Sequence, residues 1–307
     1  MIITGEYIVS EEHPMGRSCS NPPRVQSPRN AMSEPSQSAG DLDRDTALGR
    51  VAAGRYEAVI GPEWWVDRGP NGGFLAALAL RAAREAVADD ERRPCSVTLH
   101  FLSVVREGVV AVDVEVLRSG QRLSNCLVRM TQGERPVVVA LVACTLPGET
   151  AHGFDATQFP DPPPPEKLEP LPVASPGLPR FLANYDVRFA LGYLPFTGAS
   201  EAVTGVWMRM AKPRRPDALA IAAFVDGWAH APLVRRRAAA PTPTIDLTIH
   251  FRDHVWYRDA EPGAFVLVAY RSRLLADGFF EEDGEVWSPD GVLLAQSRQL
   301  ARLLSAP

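Results

Sequence analysis

The sequence predicts an α+β protein built from two similar domains in tandem, each a curved antiparallel sheet wrapped around one buried helix. Strand-like alternation of apolar and polar residues ends in His100-Phe101 and again in His250-Phe251. Each of these strands follows an Ala-rich and Leu-rich helical stretch, and further strand-like runs with short Gly-containing turns come after it. The same order of elements thus occurs twice, at a spacing too long for a solenoid repeat and suited to two fused domains.

Composition narrows the function classes. The 307 residues carry a formal charge of −5, which argues against a nucleic-acid-binding surface because that would need a basic stripe. The four cysteines show no paired metal spacing, and Cys126 and Cys144 lie in apolar runs typical of buried free thiols. No apolar run approaches the roughly 20 residues of a membrane span, and the start lacks a signal-like core. We therefore expect a cytoplasmic location.

The first domain is expected at residues 46–148. Residues 1–45 are rich in Ser, Pro, Asn and Arg, without apolar periodicity, and predict a disordered extension in which Met32 is an alternative start. A first strand is predicted at 55–60, and the Ala-rich run at 74–87 predicts a buried helix. The remaining strands of this domain are predicted at 96–104, 109–117, 123–131 and 136–146.

A Pro-rich stretch at 149–180 predicts a semi-rigid extended linker, and the second domain is expected at 181–307. A second buried helix begins at Pro216-Asp217 and is predicted to run to about His230. The strands of this domain are predicted at 184–190, 202–210, 245–251, 264–275, 279–287 and 292–304.

Three polar residues stand out from their surroundings. Gln299 shares a strand face with small and apolar residues, where an amide needs hydrogen-bond partners, although backbone or water could supply them. Asp226 lies near the end of an apolar helix. It is either a candidate general base or a solvated residue where the helix leaves the core. Strict alternation places Thr244 on the polar face of its strand, unless Pro243 bends the strand entry.

The segments 243–246 and 290–299, with His250-Phe251, Asn71-Gly72-Gly73 and the 117–120 turn, resemble the type II acyl-CoA thioesterases, the TesB-like double-hotdog proteins. The resemblance covers about 49–304 and implies a tandem hotdog fold with an acyl-CoA substrate and no metal or cofactor. In that family an Asp, a Thr or Ser, and a Gln hold the attacking water, which implies Asp226, Thr244 and Gln299 here. Phe74 departs from the family, since some members carry Gln directly after the Gly-Gly pair.

Further site residues are open to two interpretations each. The backbone N–H groups of Gly72 and Gly73 open a helix and could bind an oxyanion or a phosphate, or the glycines could only permit tight packing. Arg235 and Arg236 could contact the phosphates of coenzyme A, although such a run is more often a solvated face.

Several functional alternatives are weighed against hydrolysis. The main one is a non-catalytic acyl-CoA-binding or acyl-ligand-binding protein on the same fold. A dehydratase is disfavoured because no His lies at the start of either buried helix. A Ser-His-Asp hydrolase is disfavoured because the sequence has no G-x-S-x-G motif. One working site is expected, since alignment of the halves puts Pro94 in place of Thr244 and Cys144 in place of Gln299. Association of the chains into a homo-oligomer is left open.

Overall fold

The computed structural model describes residues 39–148, 153–252 and 255–304. The first half opens with a short helix and continues with six strands around one long helix. Its elements are α1 (Leu42–Asp45), β1 (Gly49–Ala52), β2 (Arg55–Ile60), α2 (Gly72–Val87), β3 (Arg93–Phe101), β4 (Gly108–Ser119), β5 (Leu123–Gln132) and β6 (Arg135–Thr145).

The second half repeats this order with a shorter central helix. Its elements are β7 (Tyr185–Gly192), β8 (Val203–Met210), α3 (Ala218–Val225), β9 (Thr244–Phe251), α4 (Val255–Asp259), β10 (Val266–Arg271), β11 (Leu275–Ala276), β12 (Phe279–Trp287) and β13 (Leu293–Arg302). Two predictions were wrong in detail: the second helix ends at Val225 and not near His230, and the strand predicted at 264–275 is divided into β10 and β11.

All the described strands belong to one antiparallel sheet that runs through both halves. The order is β1-β2-β4-β5-β6-β3-β9-β13-β12-β10-β8-β7, with β11 paired to β12. The halves join where β3 pairs with β9, and there Thr98 lies opposite Thr248 with their hydroxyl oxygens 3.0 Å apart. These two threonines are equivalent residues of the repeat, so a pseudo-twofold axis passes between them. The predicted pair of helix-and-sheet halves is confirmed.

The central helices α2 and α3 pack against each other inside the sheet. Both are buried along most of their length, and their buried residues are rich in alanine. A Cβ atom at Gly73 would lie 2.5 Å from the carbonyl oxygen of Ala222, a separation that no side chain could occupy. The start of α2 therefore lies directly on the end of α3, and only glycine permits this approach.

The disorder predicted for residues 1–45 falls mostly outside the described residues, but its last part is folded. Asp41 caps α1, and Leu42 is buried at 3% exposure. Asp43 forms ion pairs with Arg81 and Arg214, which lie in different halves. This short helix was missed because one buried leucine in four residues gives no apolar period.

The predicted linker covers the outer face of the second half of the sheet. Trp207 and Trp287 face away from the central helices, and Phe159 packs on Trp287 with 5.7 Å between ring centroids. The Nε1–H of Trp207 donates to the carbonyl oxygen of Pro163 at 2.8 Å. The corresponding face of the first half is exposed, with Leu141 at 52%.

Two composition-based expectations can be compared with the structure. Cys126 and Cys144 are free and buried, as predicted. Within the described residues, no helix is long and apolar enough to cross a membrane.

Truncation tests the role of α1. Removal of residues 1–38 is expected to leave the melting temperature unchanged, because that segment lacks apolar periodicity. Removal of residues 1–47 is expected to lower it by several degrees, since the burial of Leu42 and the ion pairs of Asp43 are lost. Thermal unfolding of both truncated proteins beside the full chain measures the difference, and equal melting temperatures for all three would contradict it.

Candidate active site

Asp226 lies where α3 ends. It is the C-cap residue of that helix, with φ −122° and ψ 26°, and is 8% exposed. Two buried tyrosines donate to the last carbonyls of the helix: the Tyr185 hydroxyl to Ala223 at 3.1 Å, and the Tyr270 hydroxyl to Phe224 at 3.0 Å. Side chains from β7 and β10 thereby satisfy carbonyls that a longer helix would have bonded itself.

The carboxylate of Asp226 faces the first half of the chain. Its Oδ2 accepts from Asn71 Nδ2 at 2.9 Å and from the Gly73 N–H at 3.2 Å. Asn71 also caps α2 through its Oδ1 and donates to the Asp226 carbonyl at 2.6 Å. The positive end of α2 and one amide side chain therefore hold the carboxylate in place.

Thr244 and Gln299 are brought together directly, since the Thr244 hydroxyl donates to Gln299 Oε1 at 3.0 Å. A β-bulge makes this contact possible. In the β9–β13 pairing, Leu300 lies opposite Asp246 but Ala301 lies opposite Thr244, so Ile245 is passed over. The extra residue shifts the alternation by one position. Thr244 therefore faces the inner side of the sheet, whereas simple alternation predicted the outer side. A corresponding bulge passes over Cys95 at the start of β3.

Sequence reasoning missed Glu282, which is 1% exposed and lies opposite Gln299 in the β12–β13 pairing. Its Oε1 accepts from Gln299 Nε2 at 2.8 Å, and its Oε2 accepts from the Ala231 N–H. The available signal was alternation along β12, which puts Glu282 on one face with Phe280 and Val286. The flanking acidic residues concealed it, because a run of three carboxylates is typical of a solvated segment.

His230 was also missed; it lies beside Asp226 and interacts electrostatically with Glu282. Its Nε2 is 3.6 Å from Asp226 Oδ1, and its ring packs edge-on against Phe280. Burial opposes the charged imidazole, but the charges of Glu282 and Asp226 more than offset this and raise the pKa of His230. Its Nδ1 is buried and has no hydrogen-bond partner among the described residues.

Burial also raises the pKa of Glu282, although the charge of His230 and the N–H donors of Ala231 and Gln299 partly offset the effect. The site thus contains two carboxylates that share one ionisable imidazole. In the described part of the chain, no group of three or more His, Cys, Asp or Glu side chains is placed to hold a metal ion.

The remaining sequence-predicted residues lie around this network. A Cβ atom at Gly72 would be 3.0 Å from Asp226 Oδ2 and 2.9 Å from the Phe101 ring, so Gly72 borders the carboxylate. The Gly73 N–H is engaged by Asp226, whereas Gly72, as the first residue of α2, has an N–H without an acceptor inside the helix. Arg235 is exposed and ends a short 3-10 helix that begins at Ala231; Arg236 follows it and is half-buried.

The equivalent place in the first half lacks this polar set. Pro94 precedes the bulge as Thr244 does in the second half. In the second half, Gln299 pairs with Leu247. The equivalent of Leu247 in the first half is Val97, and it pairs with Val142. The counterpart of Gln299 is therefore Val142 and not Cys144, because the sequence alignment of the two last strands was displaced by two residues. An apolar side chain there supplies no hydrogen bond.

Comparison with known proteins agrees with this architecture. A hotdog-fold protein of Alicyclobacillus acidocaldarius superposes with a TM-score of 0.78 at 26% identity, covering 87% of this chain and 98% of the other. The acyl-CoA thioesterase II TesB2 of Mycobacterium marinum has a TM-score of 0.68 at 19% identity, with 87% and 99% covered. The chain is thus a double-hotdog protein.

Family profiles identify the chain further. The acyl-CoA thioesterase N-terminal domain matches residues 61–145, and the acyl-CoA thioesterase C-terminal domain matches residues 160–303. The chain belongs to this acyl-CoA thioesterase family. The uncharacterized protein Rv0499 of Mycobacterium tuberculosis is 28% identical over 301 residues, which cover 89% of this chain and 98% of the relative.

The raised pKa of His230 predicts how stability depends on pH. The part of the unfolding free energy that comes from the protonated imidazole is present below its ordinary pKa of 6.5 and is lost as the pH rises through the raised value. We expect the loss between pH 6 and pH 9, measured by urea unfolding, to be smaller in His230→Gln than in the unaltered protein. His250→Gln, at an exposed position, is the control and should keep the full loss. Parallel pH profiles for all three proteins would contradict the assignment.

Proposed function

We propose that the protein hydrolyses acyl-CoA thioesters with a water held by Asp226, Thr244 and Gln299. The observation that carries the proposal is the Thr244–Gln299 hydrogen bond on the inner face of the sheet. Glu282 connects this pair to the Ala231 N–H, five residues beyond the buried Asp226. Membership of the thioesterase family supports thioester hydrolysis in general. Their hydrogen-bonding capacity supports the choice of Asp226, Thr244 and Gln299 as the residues that perform it.

Hydrogen-bond inventory assigns each group a role. The Thr244 hydroxyl gives its proton to Gln299, so its oxygen is left as an acceptor. Gln299 Nε2 donates one N–H to Glu282 and has a second N–H to offer. Asp226 Oδ2 has two donors, whereas Oδ1 accepts no hydrogen bond from the described residues and has His230 Nε2 at 3.6 Å. A water between these groups would accept from Gln299 and donate to Thr244 and Asp226.

The chemistry needs only a base, a positioned water and a polarising donor. The water oxygen attacks the thioester carbon while Asp226 Oδ1 takes its proton, and the carbonyl oxygen gains negative charge. The Gly72 N–H, at the positive end of α2, is the proposed donor to that oxyanion. The carbon–sulfur bond then breaks, the acid departs, and the thiolate takes the proton from Asp226.

Substitution of Asp226 tests the base. Asp226→Asn keeps the shape and the acceptor for Asn71 but removes the negative charge, so thiol release from acyl-CoA is expected to fall by roughly 10²–10⁴-fold. Binding of a thioether analogue of the substrate, measured by calorimetry, is expected to persist. Asp246→Asn, on the opposite face of β9, is the control and should retain activity. Unchanged thiol release in Asp226→Asn would exclude Asp226 as the base. Analogue binding without thiol release in the unaltered protein would support the non-catalytic alternative.

Arg235 and Arg236 are proposed to contact the phosphates of coenzyme A, since they follow the segment that begins at Ala231 beside Glu282. Replacing either by Ala is expected to raise KM for acyl-CoA several-fold, because a charge-assisted contact is lost. The KM for the matching acyl-N-acetylcysteamine thioester, which lacks phosphate, should not change. Arg237→Ala is the control, since the Arg237 side chain packs against Gly198. Equal rises for both substrates would indicate a general disturbance of the site.

A further inference from the structure

The orientation of the Gln299 amide is decisive for the proposed water site. An amide has nearly the same shape either way round, but only one orientation presents a carbonyl to the Thr244 hydroxyl and an N–H to the water. The opposite orientation would direct the NH₂ group at Thr244 and the carbonyl oxygen at the other neighbour of the amide. The group that contacts the amide on the side away from Thr244 therefore determines which amide atom faces Thr244.

Glu282 contacts the Gln299 amide on the side away from Thr244. A carboxylate only accepts hydrogen bonds, so the 2.8 Å contact between Glu282 Oε1 and Gln299 Nε2 requires the NH₂ group to face Glu282. The contact is buried, and Gln299 is 3% exposed. Because water does not compete there, the preference for one orientation is stronger than it would be at the surface.

Glu282 is itself held in position. Its second oxygen accepts from the Ala231 N–H, five residues beyond Asp226 in the chain. His230, which immediately precedes Ala231, lies 3.6 Å from Asp226 Oδ1, and both carboxylates favour its protonated form. The segment after α3 thus links the base on one side of the site to the Thr244–Gln299 pair on the other.

We propose that Glu282 is a positioning residue that fixes the orientation of the Gln299 amide, and through it the geometry of Thr244 and the attacking water. This inference rests on the proposed hydrolysis. Glu282 touches no reacting atom, so its effect is expected on turnover and not on substrate binding.

The test is Glu282→Gln, which keeps the shape but leaves only one acceptor oxygen. That oxygen can serve the Ala231 N–H or the Gln299 amide but not both, so Gln299 loses its fixed orientation. We expect kcat for acyl-CoA hydrolysis to fall by roughly 10–100-fold, with KM changed less than twofold. Glu282→Asp keeps an acceptor-only group and is expected to recover part of kcat. Asp283→Asn, which faces outward and pairs with Arg273 and Arg298, is the matched control and should stay within twofold.

A double-mutant cycle separates positioning from a general structural role. In a Gln299→Ala background, Glu282→Gln is expected to cause no further loss of kcat, because no amide remains to be oriented. The assignment would be overturned if the losses of kcat in the two single variants multiplied in the double variant. Full kcat in Glu282→Gln with an unchanged melting temperature would overturn it as well. If the unaltered protein releases no thiol from any acyl-CoA, the proposed function fails and the role of Glu282 fails with it. Activity in the unaltered protein with no effect of Glu282→Gln removes only the role of Glu282.

Discussion

The close approach of the two central helices is the constraint on which the site depends. Gly73 lets the start of α2 lie on the final carbonyls of α3, and this contact places the Asp226 carboxylate against the Gly73 N–H and Asn71. The proposed base of one half is therefore held by the helix start of the other. A larger residue at position 73 would separate the helices and so disturb both the core and the site.

Much of the fold was readable from the sequence, because each strand has one buried face and alternates accordingly. Strand β12 was predicted at its observed bounds, and the repeat of His-Phe located β3 and β9. The end of α3 was not predictable from its own residues. Tyr185 and Tyr270, both distant in the chain, bind the carbonyls that mark that end, and local apolar content gives no sign of them.

The site was predictable residue by residue only in part. Resemblance and burial singled out Gln299 and Asp226, but the inward turn of Thr244 depends on a bulge that exists only once β9 has paired with β13. Glu282 was concealed by its acidic neighbours, and His230 by a helix predicted to run to about that residue. Pairing register was needed as well to show that Val142 is the counterpart of Gln299.

The linker that lies over Trp207 and Trp287 makes the two outer faces of a nearly symmetric sheet different. One face is already covered by the chain's own residues, while the other, which includes Leu141, is open. Stacking of two chains through their sheet faces would therefore have to join first half to first half. A contact of that kind uses the same patch on both partners, so it closes at two chains and cannot extend into a filament.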